Sequence, residues 1–217
     1  LLSLIILCAG PVMAEFSAPL NPKAWKALEF SSLKPNKISG DDTTLIIEVN
    51  KSSSPLLYKI ESPVKFKSIS VVGEITDGSI NLKNQKQGLF KNKKSLTDDY
   101  ALRFGLVLKG KNKKPPVPGF LLASWIKEMF SLAPKGVGVD KIYFLKVAHN
   151  PEHVGETRNH PLSDYLFEEA VTSAQTGPFE IKKTFATQKE VLGFWISANG
   201  EGTSSTFKTK ITKIELK

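Results

Sequence analysis

The residues best equipped for chemistry are charged and few in kind. Asp98-Asp99-Tyr100-Ala101-Leu102-Arg103 sets two carboxylates beside a guanidinium. Glu156-Thr157-Arg158-Asn159, followed by Asp164-Tyr165, repeats the combination. Paired carboxylates act as acid and base in glycoside hydrolysis when held about 5–9 Å apart. A guanidinium instead offers a rigid fork that grips a carboxylate or phosphate through two parallel hydrogen bonds. Arginine occurs only at Arg103 and Arg158, and the other 28 of the 30 basic residues are lysines. A chain that uses lysine everywhere else keeps the fork at two places. Asp98, Asp99, Arg103, Glu156, Arg158 and Asp164 are therefore candidates for structural ion pairs or for a ligand site. Arg158 with Asp98 or Asp99 is one such expected pair. No residue is assigned a catalytic role.

Spacing narrows the possibilities. Asp99 and Arg103 share strand parity but stand about 13 Å apart along a straight strand. They cannot pair within it, so Arg103 is expected to cross the sheet face to a carboxylate on a neighbouring strand. His149, His153 and His160 fall within twelve residues and are weak candidates for a metal, with Glu156 as an oxygen ligand. The intervening Asn150-Pro151-Glu152 reads as loop rather than helix, which favours solvated histidines and no metal or other cofactor. The chain has no H-E-x-x-H, no G-x-S-x-G elbow and no phosphate-binding glycine loop. Trp25, Trp125 and Trp195 sit in apolar patterns that suggest packing rather than sugar-stacking platforms.

Strands are expected to position these groups. Leu45 to Val49 is short and β-rich. Leu56 to Phe66 continues it, with Pro63 marking an edge, bulge or bend, and Ile69 to Ile75 extends it further. Tyr100 to Leu108 alternates, with Tyr100, Leu102, Phe104, Leu106 and Leu108 on one side and Arg103 on the other. Ile142 to Ala148 is apolar on both faces apart from Lys146, and Val191 to Ile196 reads the same way. The C-terminal segment alternates through Phe207, Thr209 and Ile211, then shifts to Ile214 and Leu216. One extra residue near Thr212 or Lys213 would do this, as a β-bulge does. Two segments read as helices. Gly119 to Leu132 gathers Leu121, Leu122, Trp125, Met129 and Leu132 on one face. Pro161 to Ala170 opens with a proline suited to a first turn. Residues from Ala18 to Pro22 read as a strap, with Trp25, Leu28 and Phe30 packing behind it. Many short strands with two helical insertions predict a single β-sandwich.

Composition bounds the function. The chain has 217 residues, 41% hydrophobic and 24% charged, with a formal charge of +9. This is globular composition. A single cysteine, Cys8, excludes a disulfide scaffold and a thiolate-rich zinc site. Leu1 to Ala14 holds no charged residue, and a short apolar run there is broken by Gly10-Pro11. Val12 and Ala14 place small side chains before Glu15. Residues 1–14 are thus expected to be a signal peptide truncated at its start, with 15–217 as one domain. The apolar run is too short to span a membrane. Leu7 before Cys8 argues against a lipid anchor, and the periplasm is the expected destination. Lysine-rich stretches such as 91–94 and 109–114 read as solubilising loops. Specific nucleic-acid binding would call for arginines and an aromatic stacking pattern, which the chain lacks.

Asp98 to Leu108 resembles the signature of an exported bacterial family catalogued as domain of unknown function 3047. Trp25 to Phe30, Ser124-Trp125, Glu156 to Asn159 with Asp164-Tyr165, and Val191 to Ile196 match further pieces in the same order. The resemblance implies a jelly-roll sandwich of the galactose-binding type. The family carries an Asp-x-Asp-Asn-Thr-like turn before its last strand. Here that stretch is Ser197-Ala198-Asn199-Gly200-Glu201-Gly202-Thr203, which keeps Asn199 and Thr203 but neither aspartate. A fold of this kind does not establish a ligand. Three functions are compatible with the chain. It is a non-catalytic periplasmic domain binding an envelope glycan or other small ligand, or a structural or protein-interaction domain of the envelope, or a carboxylate-dependent glycan hydrolase.

Overall fold

A computed structural model describes residues 15–30, 32–84, 99–112, 124–159 and 163–217. The expected signal peptide with Cys8, the lysines of 91–94, Asp98 and His160 lie outside these residues. The strands are β1 (Phe16–Ser17), β2 (Lys26–Ala27), β3 (Lys37–Asp41), β4 (Thr44–Asn50), β5 (Ser53–Ser79) and β6 (Tyr100–Gly110). After a helix α1 (Ser124–Ser131) come β7 (Gly138–Ala148), β8 (Thr157–Asn159), β9 (Leu166–Ser173), β10 (Gly177–Asn199) and β11 (Thr206–Leu216).

These eleven strands form one sheet with the order β3-β4-β11-β5-β10-β6-β7-β9-β8, while β1 pairs with β11 and β2 with β5. Most neighbours are antiparallel, but β7 and β9 run parallel. The expected jelly-roll sandwich with two helical insertions is therefore not the architecture. The domain is mainly β, with a mixed sheet whose path ends at β3 and β8, and α1 is the one α-helix among the described residues. A jelly roll is a double-sheet arrangement of antiparallel Greek keys. A parallel pair needs a long crossover connection instead, here the chain between β7 and β9 that also supplies the edge strand β8.

The second expected helix is a strand over most of its described length. Residues 166–170 of the segment expected to be helical belong to β9. Their burial has period two: Leu166, Glu168 and Ala170 are buried, while Phe167, Glu169 and Val171 are half-buried. Phenylalanine, valine and threonine in this stretch suit a pleated surface. The first helix survives over Ser124–Ser131 and buries Met129, and the rest of its expected range before 124 lies outside the described residues.

Two long strands tie the sheet together. The first half of β5 pairs with the end of β10, and its second half with the start of β10. Between Lys59↔Gly193 and Val64↔Val191, residues 60–63 of β5 have no partner on β10. Pro63 falls in that gap, where its missing N–H costs no ladder hydrogen bond. On β11 the register against β5 jumps between Ile211 and Lys213. Thr212 is the extra residue, so Ile211, Ile214 and Leu216 all reach the core.

Hydrophobic burial explains this arrangement. Leu45, Ile47 and Val49 of β4, Phe207 and Ile211 of β11, and Leu102, Phe104 and Leu106 of β6 belong to one buried cluster. The Trp25 indole completes it, lying against Tyr58 and Phe194 with Nε1 donating to the Pro19 carbonyl. A second cluster covers the opposite face of β5, β10, β6 and β7. There Leu57, Val107, Ile142 and Trp195 meet Leu28, Met129 and Leu132. β6 is thus covered on both sides, which is why its run is almost wholly apolar. No helix among the described residues is long and apolar enough to cross a membrane.

Candidate functional site

Of the charged candidates, Arg103 and Arg158 meet around Glu168 on the helix-bearing face, at one end of β6, β7, β9 and β8. Register places them in adjacent rows: Arg103 faces Lys146, Phe144 faces Glu168, and Glu168 faces Arg158. Arg103 Nη1 lies 3.0 Å from Glu168 Oε1. Arg158 Nε donates to Glu168 Oε2 at 2.7 Å. The two arginine side chains are only 7% and 10% exposed, and that of Glu168 is 1% exposed.

Arg103 and Glu168 stand on strands separated by β7, roughly 10 Å apart. Only a long side chain bridges that gap, and a guanidinium reaches across while keeping its charge on the carboxylate. Phe144 packs over Gly105, and the Arg103 guanidinium lies 6.0 Å from the Phe144 ring centre. The Arg103 guanidinium also rests 3.7 Å from the centre of the Tyr100 ring. Tyr100 was expected to point with Leu102. A register shift between Ser197↔Arg103 and Asn199↔Tyr100 turns it to the arginine's side. Lys146, 2% exposed, lies on the same face with Nζ 6.0 Å from that ring.

Arg158 was expected to hold Asp98 or Asp99. Its pair is Glu168, and Asp99 serves a different purpose. Asp99 is fully buried at the entry to β6, where its carboxylate accepts from the Thr203 N–H and hydroxyl, both at 2.6 Å, and from the Gly202 N–H at 3.3 Å. Thr203 in turn contacts the Ser205 hydroxyl. The turn between β10 and β11 is thus held from outside by Asp99, which grips Thr203.

His149 and His153 do not converge. His149 is buried with Nε2 2.9 Å from the Asp99 carbonyl oxygen. His153 is half-buried, with Nδ1 3.2 Å from Glu156 Oε1. No group of three His, Cys, Asp or Glu side chains suited to a metal occurs among the described residues. Asp164 is exposed in the turn that leads into β9.

Glu168 is the residue the sequence reading missed. A helical reading of its segment hides its parity. Read as a strand, Leu166-Phe167-Glu168-Glu169-Ala170 puts one acid in line with Leu166 and Ala170. A charge at an apolar parity demands a buried partner. Asn36 was missed as well. It is buried and donates to the Ser54 and Ala198 carbonyls while accepting from Ser52. A second acid, Glu169, accepts from the Tyr143 hydroxyl and from Lys183 on the opposite face of β9. Burial, and then the Glu169 carboxylate, push the Tyr143 phenol above its ordinary range.

A groove of about 380 Å³ lies elsewhere on the sheet, where β10, β5 and β11 run side by side. Ser68, Ser70 and Thr184 line it together with Lys182, Lys213 and Glu215. Its volume falls in the range of about 300–1,000 Å³ usual for small-ligand sites. No protein-family model and no curated protein matches this chain.

Proposed function

We propose that this chain is a non-catalytic binding domain of the bacterial periplasm that recognises an envelope glycan. The observation that carries the reading is the polar groove across β10, β5 and β11, while the acid–base cluster is closed on itself. Glu168 has a guanidinium on each oxygen, and Asp99 is spent on a turn. Both acids are buried, so neither is presented to a glycosidic bond, and the hydrolase reading draws no support from them. The groove's hydroxyls and ion-paired side chains support a polar ligand there. Export is part of the proposal and rests on residues 1–14. Membership of the exported family is also part of the proposal and rests on the ordered motifs from Trp25 onward.

A second reading has its own support. A structural or protein-interaction domain of the envelope predicts buried, paired arginines and an exposed apolar patch, and Arg103 and Arg158 meet the first of these.

Thermal melting against periplasmic sugars, peptidoglycan fragments and divalent metals separates the two readings. A ligand bound only by the folded state raises the melting temperature in proportion to its saturation. A dose-dependent rise with one sugar class supports the binding domain. A flat panel on well-folded protein refutes it and favours the interaction domain, for which pull-down from periplasm is the next step.

A further inference from the structure

We infer that the groove across β10, β5 and β11 is the glycan site, and that it takes an uncharged, hydroxyl-rich sugar chain. This rests on the binding-domain reading above and specifies its place and ligand class.

Register builds the groove. Ser70 on the central strand β5 stands between Lys182 of β10 and Glu215 of β11. One row further, Thr184 stands opposite Ser68. Short side chains on the middle strand flanked by long ones leave a trough with hydroxyls for a floor. The lysine stems supply apolar flanks while their ammonium groups stay in water.

Charge selects the ligand. Each lysine of the groove lies beside a carboxylate, Glu215 being shared by Lys213 and Lys217. Lys182 lies 2.9 Å from Glu180, Lys213 2.6 Å from Glu215, Lys217 3.2 Å from Glu15 and Lys183 2.6 Å from Glu169. The ammonium of Lys213 pulls the Glu215 carboxyl below its ordinary value, and that of Lys182 does the same to Glu180. An anion entering the trough meets Glu180 and Glu215 along with the ammonium groups, and a cation meets the lysines. A neutral sugar meets neither penalty. An ammonium has three donors and a carboxylate about four acceptor sites, so one ion pair leaves capacity on both. A sugar hydroxyl donates and accepts at once, and matches such an alternating wall.

Calorimetric titration of the full chain with a β-1,4-linked N-acetylglucosamine tetramer tests this, with a uronic-acid tetramer as the anionic comparison. The neutral tetramer is expected to bind with an affinity that changes less than about twofold between about 50 and 500 mM salt, since no net charge is screened. Ser70→Val, which keeps a strand-forming side chain and removes the hydroxyl, is expected to weaken binding about fivefold. Ser70→Arg, which fills the floor, is expected to abolish it. Lys182→Ala gives a third variant at an exposed position, and thermal melting checks that each is folded. Salt-sensitive binding of the uronic-acid tetramer alone overturns the neutral-sugar assignment and leaves the binding domain standing. Neutral-sugar binding that none of the three variants weakens overturns the groove. Absence of binding by either sugar overturns this inference, and a flat thermal panel of envelope glycans then overturns the wider reading as well.

Discussion

Replacing Glu168 by glutamine removes one negative charge from the centre of the buried cluster and leaves its shape almost unchanged. Both guanidinium groups then face a neutral amide at the places where they now meet carboxylate oxygens at 3.0 and 2.7 Å. Breaking a buried ion pair by removing one partner costs about 3–5 kcal/mol, because the remaining charge stays desolvated. Arg158 keeps 10% of its side chain in water, which places the loss near the lower end, about 3 kcal/mol. For a chain of this length each kcal/mol moves the melting temperature by about 2–4 °C, so a fall of about 6–12 °C is expected. Urea unfolding followed by tryptophan fluorescence reads the change, since Trp25 and Trp195 are both buried. The midpoint should fall with little change in slope. Combining Glu168→Gln with Arg158→Met in a double-mutant cycle should return a coupling of about 1–3 kcal/mol. A loss under about 1 kcal/mol for the single variant, or strict additivity in the cycle, refutes the claim that this cluster stabilises the fold.

Three further outcomes follow from the same geometry. Tyr143 holds its proton more tightly when folded than when unfolded, where a phenol titrates near pH 10. Its contribution is complete below that value and declines as pH rises above it, because the unfolded state releases the proton first. Tyr143→Phe should flatten this alkaline loss in pH-dependent melts. Thr203→Val removes the hydroxyl bond to Asp99 while keeping the backbone one, for an expected cost of about 1–2 kcal/mol in urea titration. A Cβ at Gly105 would stand 2.7 Å from Ile142 and 2.8 Å from Phe144, so Gly105→Ala should cost about 1–3 kcal/mol by the same measurement.

Several features of the fold are legible in the amino-acid order because they follow from local parity. The alternation of Leu102, Phe104 and Leu106 marks β6, and the changed phase after Ile211 marks the bulge at Thr212. Arg103 stands on the opposite parity from that stripe, and four residues from Asp99 it cannot pair within its own strand, so a cross-sheet carboxylate is implied. The identity of the carboxylate is not, since Glu168 lies 65 positions later in a segment whose apolar residues fit a helical spacing as well as a strand. Tyr100 went to the unexpected face for a related reason. The irregular pairing of β6 with β10 is set by the partner strand, and nothing within β6 announces it.

Residue order alone determined that this is a mainly β, lysine-rich chain in which two arginines stand apart. Side-chain period and charge type are local properties, and they survive in any arrangement of the strands. Tertiary structure decided which strands became neighbours, and with that which carboxylate each arginine received. It made β7 and β9 parallel, joined Asp99 to a turn more than a hundred residues away, and laid Ser70 between Lys182 and Glu215. Such juxtapositions depend on the order and register of strands across the whole sheet. That order is set by the joint burial of two apolar clusters drawn from the length of the chain, and no local pattern encodes it.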